Sequence, residues 1–399
     1  MNERKLLLGL DLGDRFSQLA VFDPQRMEAE LLEVTEENPE GFIETSVSLN
    51  QQEIIRDFMP KLRRGQAVIL DGKEASPVNV MAYFLRKTLA LTKKKYPRDM
   101  IKKLVVTMDK TSPQLITLIY EALEKLGISK DRAMVINHKQ CFAYFVLYQK
   151  KELWINDVGM FDYRDGELSY YQLQLDRRKT PTLVAVKRRE LKDAAELMAQ
   201  DENHSGILFE NVVTGLIHKQ ILSSLFMTGN GFDAPWSEDI FRRLCVGRRL
   251  FHGNNLFVSG ACYAAKELGD KKRLEDFMLM DDDMVNSKIS MEAYRDGKYE
   301  EITLVKAGEP WYQVSRDLDL IPDGDEELCL RIVNVFTKAE KKILVELEPV
   351  LGRTNRHCRL SMKLLFADAN TCVLTMRDLG FGEDYPTSNR IWEKTIRLS

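Results

Sequence analysis

The sequence predicts an α/β protein with an internally duplicated core, followed by a β-sandwich domain. Three patterns carry that expectation. A strand hairpin followed by alternating strands and helices occurs twice before residue 275. Each hairpin has a carboxylate and a glycine at its tip, in "DLGDR" (11–15) and "YRDGE" (163–167). From about residue 287 onward, short runs of alternating apolar and polar residues are separated by turn signals, at the spacing of a β-sandwich.

The first hairpin is "KLLLGLDLGDRFSQLAVFD" (5–23), where an apolar run enters a tight turn and alternation resumes. "QAVILDG" (66–72) is a short strand, and "PVNVMAYFLRKTLALTKKKY" (77–96) has the apolar spacing of an amphipathic helix. "IKKLVVTMD" (101–109) is a buried strand. "SPQLITLIYEALEKLG" (112–127) opens on a Ser-Pro cap and stops at Gly127, as a helix should. "RAMVINH" (132–138) is a strand leading into the helical "KQCFAYFVLYQKKE" (139–152).

The second round begins with "DVGMFDY" (157–163), turns at Arg164-Asp165-Gly166 and returns through "ELSYYQLQL" (167–175). "SSLFMTGNGF" (223–232) runs into a glycine turn with a helix after Ser237, and small residues open a helix in "FVSGACYAAKELG" (257–269). This places a duplicated domain at 1–275, with lobes of about 1–150 and 151–275, a linker at 276–286 and the sandwich at 287–399. No long helix is predicted in the sandwich before the last few residues.

With 58 basic and 61 acidic residues the net charge is −3, which complements neither nucleic acid nor a membrane surface. The clusters "RRLCVGRR" (242–249) and "VKRRELK" (186–192) read as solvated faces. No apolar run reaches membrane-spanning length, and the start has too short an apolar core for a secretory signal. Six scattered cysteines without a CxxC pair fit the reduced thiols of a cytoplasmic protein. Five histidines, none at ligand spacing, predict no histidine metal site.

The order of these pieces resembles the actin-like ATPase superfamily, and within it the DnaK-type heat-shock chaperones. "GLDLGDRFSQLAVFD" (9–23) is similar to their first phosphate hairpin, and "VGMFDYRDGELSYYQL" (158–173) stands where the second belongs. Residues 102–149 resemble their strand–helix–strand and connecting helix, "SSLFMTGNGFD" (223–233) the adenosine motif, and "GACYAAKEL" (260–268) the closing helix. "DFMLMDDDMVNSKISMEA" (276–293) is similar to the interdomain linker, and "LSMKLLFADANTCVLTMRD" (360–378) to a strand pair of the substrate-binding sandwich.

The resemblance implies a duplicated ribonuclease H-like fold binding ATP or ADP with Mg²⁺, and a protein or peptide partner on the sandwich. Carried over residue by residue, it implies nucleotide contacts at Asp11, Gly13, Asp14, Arg15, Lys73, Gly166, Gly229 and Gly231. It also implies a metal-water contact at Asp11, and catalytic positions at Asp162 and His138. On the residues alone, Asp11 and Gly13 fit a phosphate contact or an ordinary turn, and Gly229 and Gly231 a nucleotide contact or a strand-to-helix turn. His138 fits a helix-start polar residue and Asp162 a hairpin cap.

The departures from the family pattern weigh on function. Asp14 and Arg15 stand where the chaperones carry small hydroxyl residues, only Gly166 remains of a glycine-rich turn, and His138 stands in place of a carboxylate. Between Phe161 and Phe226 there is no room for the subdomain that covers adenine, and no helical lid follows the sandwich. The expected function is therefore a DnaK-like protein with a degenerate site, acting through protein or peptide binding with weak or no ATP hydrolysis. A working chaperone-like ATPase and a sugar-kinase-like enzyme are the alternatives.

Overall fold

The computed structural model describes residues 5–33, 38, 40–48, 54–70, 72–270, 272–322, 327–347 and 357–398. The chain is mixed α/β with several sheets and divides into two compact units, Met1–Leu279 and Met280–Ser399.

The first unit is built on two large sheets. In the first, β1 (Lys5–Asp11), β2 (Phe16–Asp23) and β3 (Glu28–Leu31) form an antiparallel meander, and β4 (Met100–Met108) and β5 (Ala133–Asn137) add in parallel on the other side of β1. In the second, β6 (Asp157–Arg164), β7 (Glu167–Asp176) and β8 (Thr182–Glu190) form the meander, and β9 (Leu222–Thr228) and β10 (Arg249–His252) add in parallel beside β6. Both sheets thus run third–second–first–fourth–fifth. Even the register repeats, with Asp11 of β1 opposite Thr107 of β4 and Asp162 of β6 opposite Thr228 of β9.

The helices follow the same scheme. The short α1 (Phe58–Arg63) and α2 (Pro77–Ala90) precede β4, α3 (Pro113–Lys125) joins β4 to β5, and α4 (His138–Tyr148) follows β5. α5 (Lys192–Gln200) and α6 (Ser205–Ile217) precede β9, α7 (Ser237–Leu244) joins β9 to β10, and α8 (Leu256–Gly269) follows β10. Local chemistry sets the ends: Ser112 accepts from the Leu115 amide ahead of Pro113, and Asn137 and Gln140 form a reciprocal capping box that starts α4.

The last helix of each round lies in a shared layer between the sheets. α8 packs on β1 and β4, α4 packs on β8, and the two helices cross. Their apolar faces and both inner sheet faces form one cluster that includes Leu7, Val105, Phe142, Val146, Tyr171, Val184 and Phe257. Each such buried side chain contributes about 1.5–3 kcal/mol, so this layer fixes the two halves together. The crossing is close because Gly260 brings α8 onto α4: a Cβ there would lie 2.2 Å from the Cys141 carbonyl oxygen. Likewise a Cβ on Gly9 would lie 2.3 Å from the Cys262 amide.

Part of the segment expected as a linker is instead a strand. β11 (Phe277–Met280) lies beyond β8 at the edge of the second sheet, and the Thr182 amide donates to the Asp276 carbonyl at 2.8 Å.

The second unit holds β12 (Ser287–Arg295), β13 (Lys298–Val305), β14 (Ser315–Leu320), β15 (Glu327–Asn334), β16 (Glu340–Glu346), β17 (Leu360–Asp368), β18 (Thr371–Asp378) and β19 (Ile391–Arg397). They form two four-stranded antiparallel sheets, in the orders β13–β12–β15–β16 and β14–β17–β18–β19. Ile289, Leu330 and Val345 of one sheet share a cluster with Met362, Leu374 and Ile396 of the other. The final residues extend as β19 rather than as a helix; Ile391–Arg397 keeps period-two alternation and pairs with β18. Among the described residues no helix is long and apolar enough to cross a membrane.

The crossing gives a paired prediction. Gly260→Ala is expected to cost about 3 kcal/mol, because the added Cβ meets backbone that cannot move aside. Gly215→Ala, in α6 with open space around it, is expected to add ~0.5–1 kcal/mol. Denaturant midpoints at constant slope check both, and a neutral Gly260→Ala would contradict the packing.

Candidate functional site

The repeated register brings both hairpin tips to one crevice of the first unit. β1 ends at Asp11 and turns through Leu12–Arg15, where a Cβ on Gly13 would lie 2.2 Å from the Phe16 carbonyl oxygen. β6 turns into β7 through Asp165 (φ 51) and Gly166 (φ 82), the two positive φ values that a type I′ turn requires. Between the hairpins is a cavity of about 340 Å³, lined on its floor by His138, Asp162, Arg164 and Arg188.

A buried charge cluster forms that floor. Asp11, His138 and Asp162 are only 3%, 4% and 8% exposed. His138 Nε2 donates to Asp11 Oδ1 at 2.8 Å, and Arg164 Nη1 donates to Asp11 Oδ2 at 3.4 Å. Arg164 Nε also lies 3.6 Å from Asp162 Oδ1. Arg188 Nη1 pairs with Asp109 Oδ1 at 2.6 Å, its Nη2 donates to Ser169 Oγ at 3.1 Å, and His138 Nδ1 lies 3.7 Å from the same Asp109 oxygen. Phe257 of α8 carries the cluster: the His138 ring stacks on it at 3.7 Å, and the Arg164 guanidinium lies 5.4 Å from its centre.

The three carboxylates differ in their electrostatics. Burial works against charge on Asp11, but His138 and Arg164 outweigh it and hold its carboxyl below the usual value. Burial is likewise outweighed at Asp109 by His138 and Arg188. At Asp162 burial prevails over Arg164 and His138 and pushes the carboxyl up; its Oδ1 has no hydrogen-bond partner.

Of the residues singled out from sequence, Asp11, Gly13, Asp14, Arg15, His138, Asp162, Gly166, Gly229 and Gly231 all lie on or beside the hairpins that bound the crevice. Lys73 does not line it. It sits exposed in a two-stranded ladder, Val68–Leu70 with Lys73–Ala75, because the turn at Gly72 directs it to that small hairpin. Asp14 is held in a bidentate pair by Arg63, both contacts at 2.7 Å, and Arg15 reaches Asp165 of the other hairpin at 3.2 Å. Gly229 (φ +104) lies against the Tyr163 backbone, and a Cβ on Gly231 would lie 2.2 Å from the Tyr163 ring.

Sequence reading missed Asp109, Arg188 and Phe257 as members of the cluster. Arg188 falls in the stretch expected as a solvated face, yet it follows the buried Val184 and Val186 at the strand's period of two. That alternation places it on the inner face and leaves Lys187 and Arg189 outside.

Residues 45–282 match the family of unknown function DUF5716, C-terminal part. The chain belongs to that family. Residues 284–398 match a domain of unknown function, DUF8552. No curated protein matches the chain. The DUF5716 match includes His138, Asp162, Arg164 and Arg188 but begins after the first hairpin.

The shifts predict opposite responses to neutralisation. A carboxyl whose folded pKa is lowered, as at Asp11, contributes stability above its unfolded pKa and loses it as pH falls through the folded value. Asp11→Asn is expected to cost about 3 kcal/mol at neutral pH, by leaving Arg164 and His138 under-compensated. A carboxyl whose folded pKa is raised, as at Asp162, favours folding only while protonated and loses that contribution as pH rises through the folded value. Asp162→Asn is therefore expected to raise the melting temperature at neutral pH, with the gain fading towards the usual carboxylate range. A loss at neutral pH would contradict this assignment.

Proposed function

We propose that residues 1–279 are a duplicated, two-lobed ribonuclease H-like unit of the actin and DnaK type that no longer turns over nucleotide. In this reading the chain acts by binding other proteins or peptides, with residues 280–399 as a β-sandwich platform. The repeated strand order, the repeated Asp–Thr register and the two crossed helices support the fold assignment.

The observation that carries the loss of turnover is the state of Asp11. Both of its carboxylate oxygens are engaged, one by His138 and one by Arg164. The residues present do not fit a Mg²⁺-bound nucleotide. Magnesium on a nucleotide takes one or two carboxylate oxygens beside phosphate and water, and here both Asp11 oxygens already accept from His138 and Arg164. The second hairpin offers one glycine at its tip, so few of its backbone amides are open to phosphate.

On the second unit, exposed Tyr294 and Tyr299 form an edge-to-face pair at 5.1 Å beside the Asp296–Gly297 turn. The outer strands are covered by long basic side chains: Arg316 donates to the Leu304 carbonyl at 2.8 Å and Lys394 to the Leu344 carbonyl at 2.6 Å. This arrangement favours contact through loops and faces over strand addition.

Calorimetric titration of Mg²⁺–ATP and of ADP into the full chain tests the reading, with Asp11→Ala as control. The expected result is no binding heat at millimolar nucleotide and no phosphate release. Micromolar binding that Asp11→Ala abolishes would overturn it.

A further inference from the structure

Three consecutive residues of the second hairpin each hold its tip in place, Arg164 from inside the crevice, Tyr163 from the opposite face of the sheet and Asp165 at the rim. The Tyr163 ring covers Gly231, and its backbone lies against Gly229, so both glycines of the turn after β9 accommodate this one residue. Arg164 is a cation between two carboxylates at matching register positions of the two sheets, Asp11 of β1 and Asp162 of β6. Asp165 reaches Arg15 of the opposite hairpin at 3.2 Å, and its amide donates to Asn230 Oδ1 at 3.0 Å.

We propose that Arg164 is a built-in plug: it supplies the cation between Asp11 and Asp162, Tyr163 anchors the tip against the glycine turn on the other face of the sheet, and the two lobes stay closed without a nucleotide or metal. This rests on the non-hydrolysing reading above and supplies its cause. The contributions differ in kind. The Arg15–Asp165 pair is exposed, with 69% and 34% of the side chains accessible, and an exposed ion pair contributes little. The Arg164 bridge is different, because Asp11 and Asp162 are nearly sequestered and removing the cation leaves two facing buried carboxylates. A guanidinium suits the position, since one planar cation hydrogen-bonds Asp11 and faces Asp162 at 3.6 Å while lying 5.4 Å from the centre of the Phe257 ring.

Thermal unfolding of the full chain with Arg164→Gln, Asp162→Asn and the double variant tests this. Arg164→Gln is expected to lower the midpoint by ~5–10 °C, and by clearly less in the Asp162→Asn background, where one of the facing charges is gone. Should Arg164→Gln fail to fold, a folded double variant gives the same support. Equal losses in both backgrounds, no loss at all, or a double variant that also fails to fold would overturn the plug. The unmodified chain, probed with Mn²⁺ and with Mg²⁺–ATP, separates the two claims. Absence of any midpoint shift together with additive losses overturns the plug and leaves the non-hydrolysing reading standing, whereas micromolar nucleotide binding overturns both.

Discussion

Gly260 against the Cys141 carbonyl is the contact on which the rest of the first unit depends. Without a Cβ at that point, α8 settles onto α4, and the inner faces of the two sheets share one apolar layer. The same approach fixes the polar end of the layer. It sets Phe257, near the start of α8, against the ring of His138, the first residue of α4. The stacked imidazole then meets Asp11 at the end of β1. Apolar packing thus positions a charge cluster that could not assemble by electrostatics alone, because each member is costly to bury without the others.

The two sheets are closer in backbone than in chemistry. Asp11 and Asp162 occupy matching strand positions opposite matching threonines, yet their carboxyls shift in opposite directions. Asp11 is hydrogen-bonded on both oxygens, whereas Asp162 faces Arg164 at 3.6 Å and has an oxygen without a partner. The asymmetry comes from the two tips. The first turns through Gly13 and Asp14, with Asp14 drawn aside by Arg63. The second turns two residues later in its strand, after Tyr163 and Arg164, and so directs the Arg164 side chain back into the crevice. A symmetric scaffold is left with one occupied side.

Much of the framework was legible in the sequence because its signals are local. The apolar run into Asp11, the Ser-Pro start before Leu115, the Asp165-Gly166 turn and the alternation after residue 287 each depend on a few neighbouring residues. What was not legible depends on distance in sequence. Gly229 and Gly231 read as a turn or a ligand contact, and only the fold brings Tyr163 onto them. Arg188 had a usable signal in its spacing from Val184 and Val186, but its basic neighbours masked it. Phe257 carried none, since a phenylalanine opening a helix says nothing about a histidine 119 residues earlier (257 − 138). Phe277–Met280 read as linker because a short apolar run flanked by acidic residues, Asp276 before it and Asp281–Asp283 after it, is shared by exposed joints and short edge strands.

The central claim is that the lobes are held closed by residues of the chain itself. An interlobe distance distribution tests it most directly, with spin labels on the exposed Cys245 and at Ile69→Cys, and with the exposed Cys329 changed to Ser. The account predicts one narrow distance that Mg²⁺–ATP leaves unchanged. A broad distribution that nucleotide narrows, or a distance that nucleotide shifts, would contradict it.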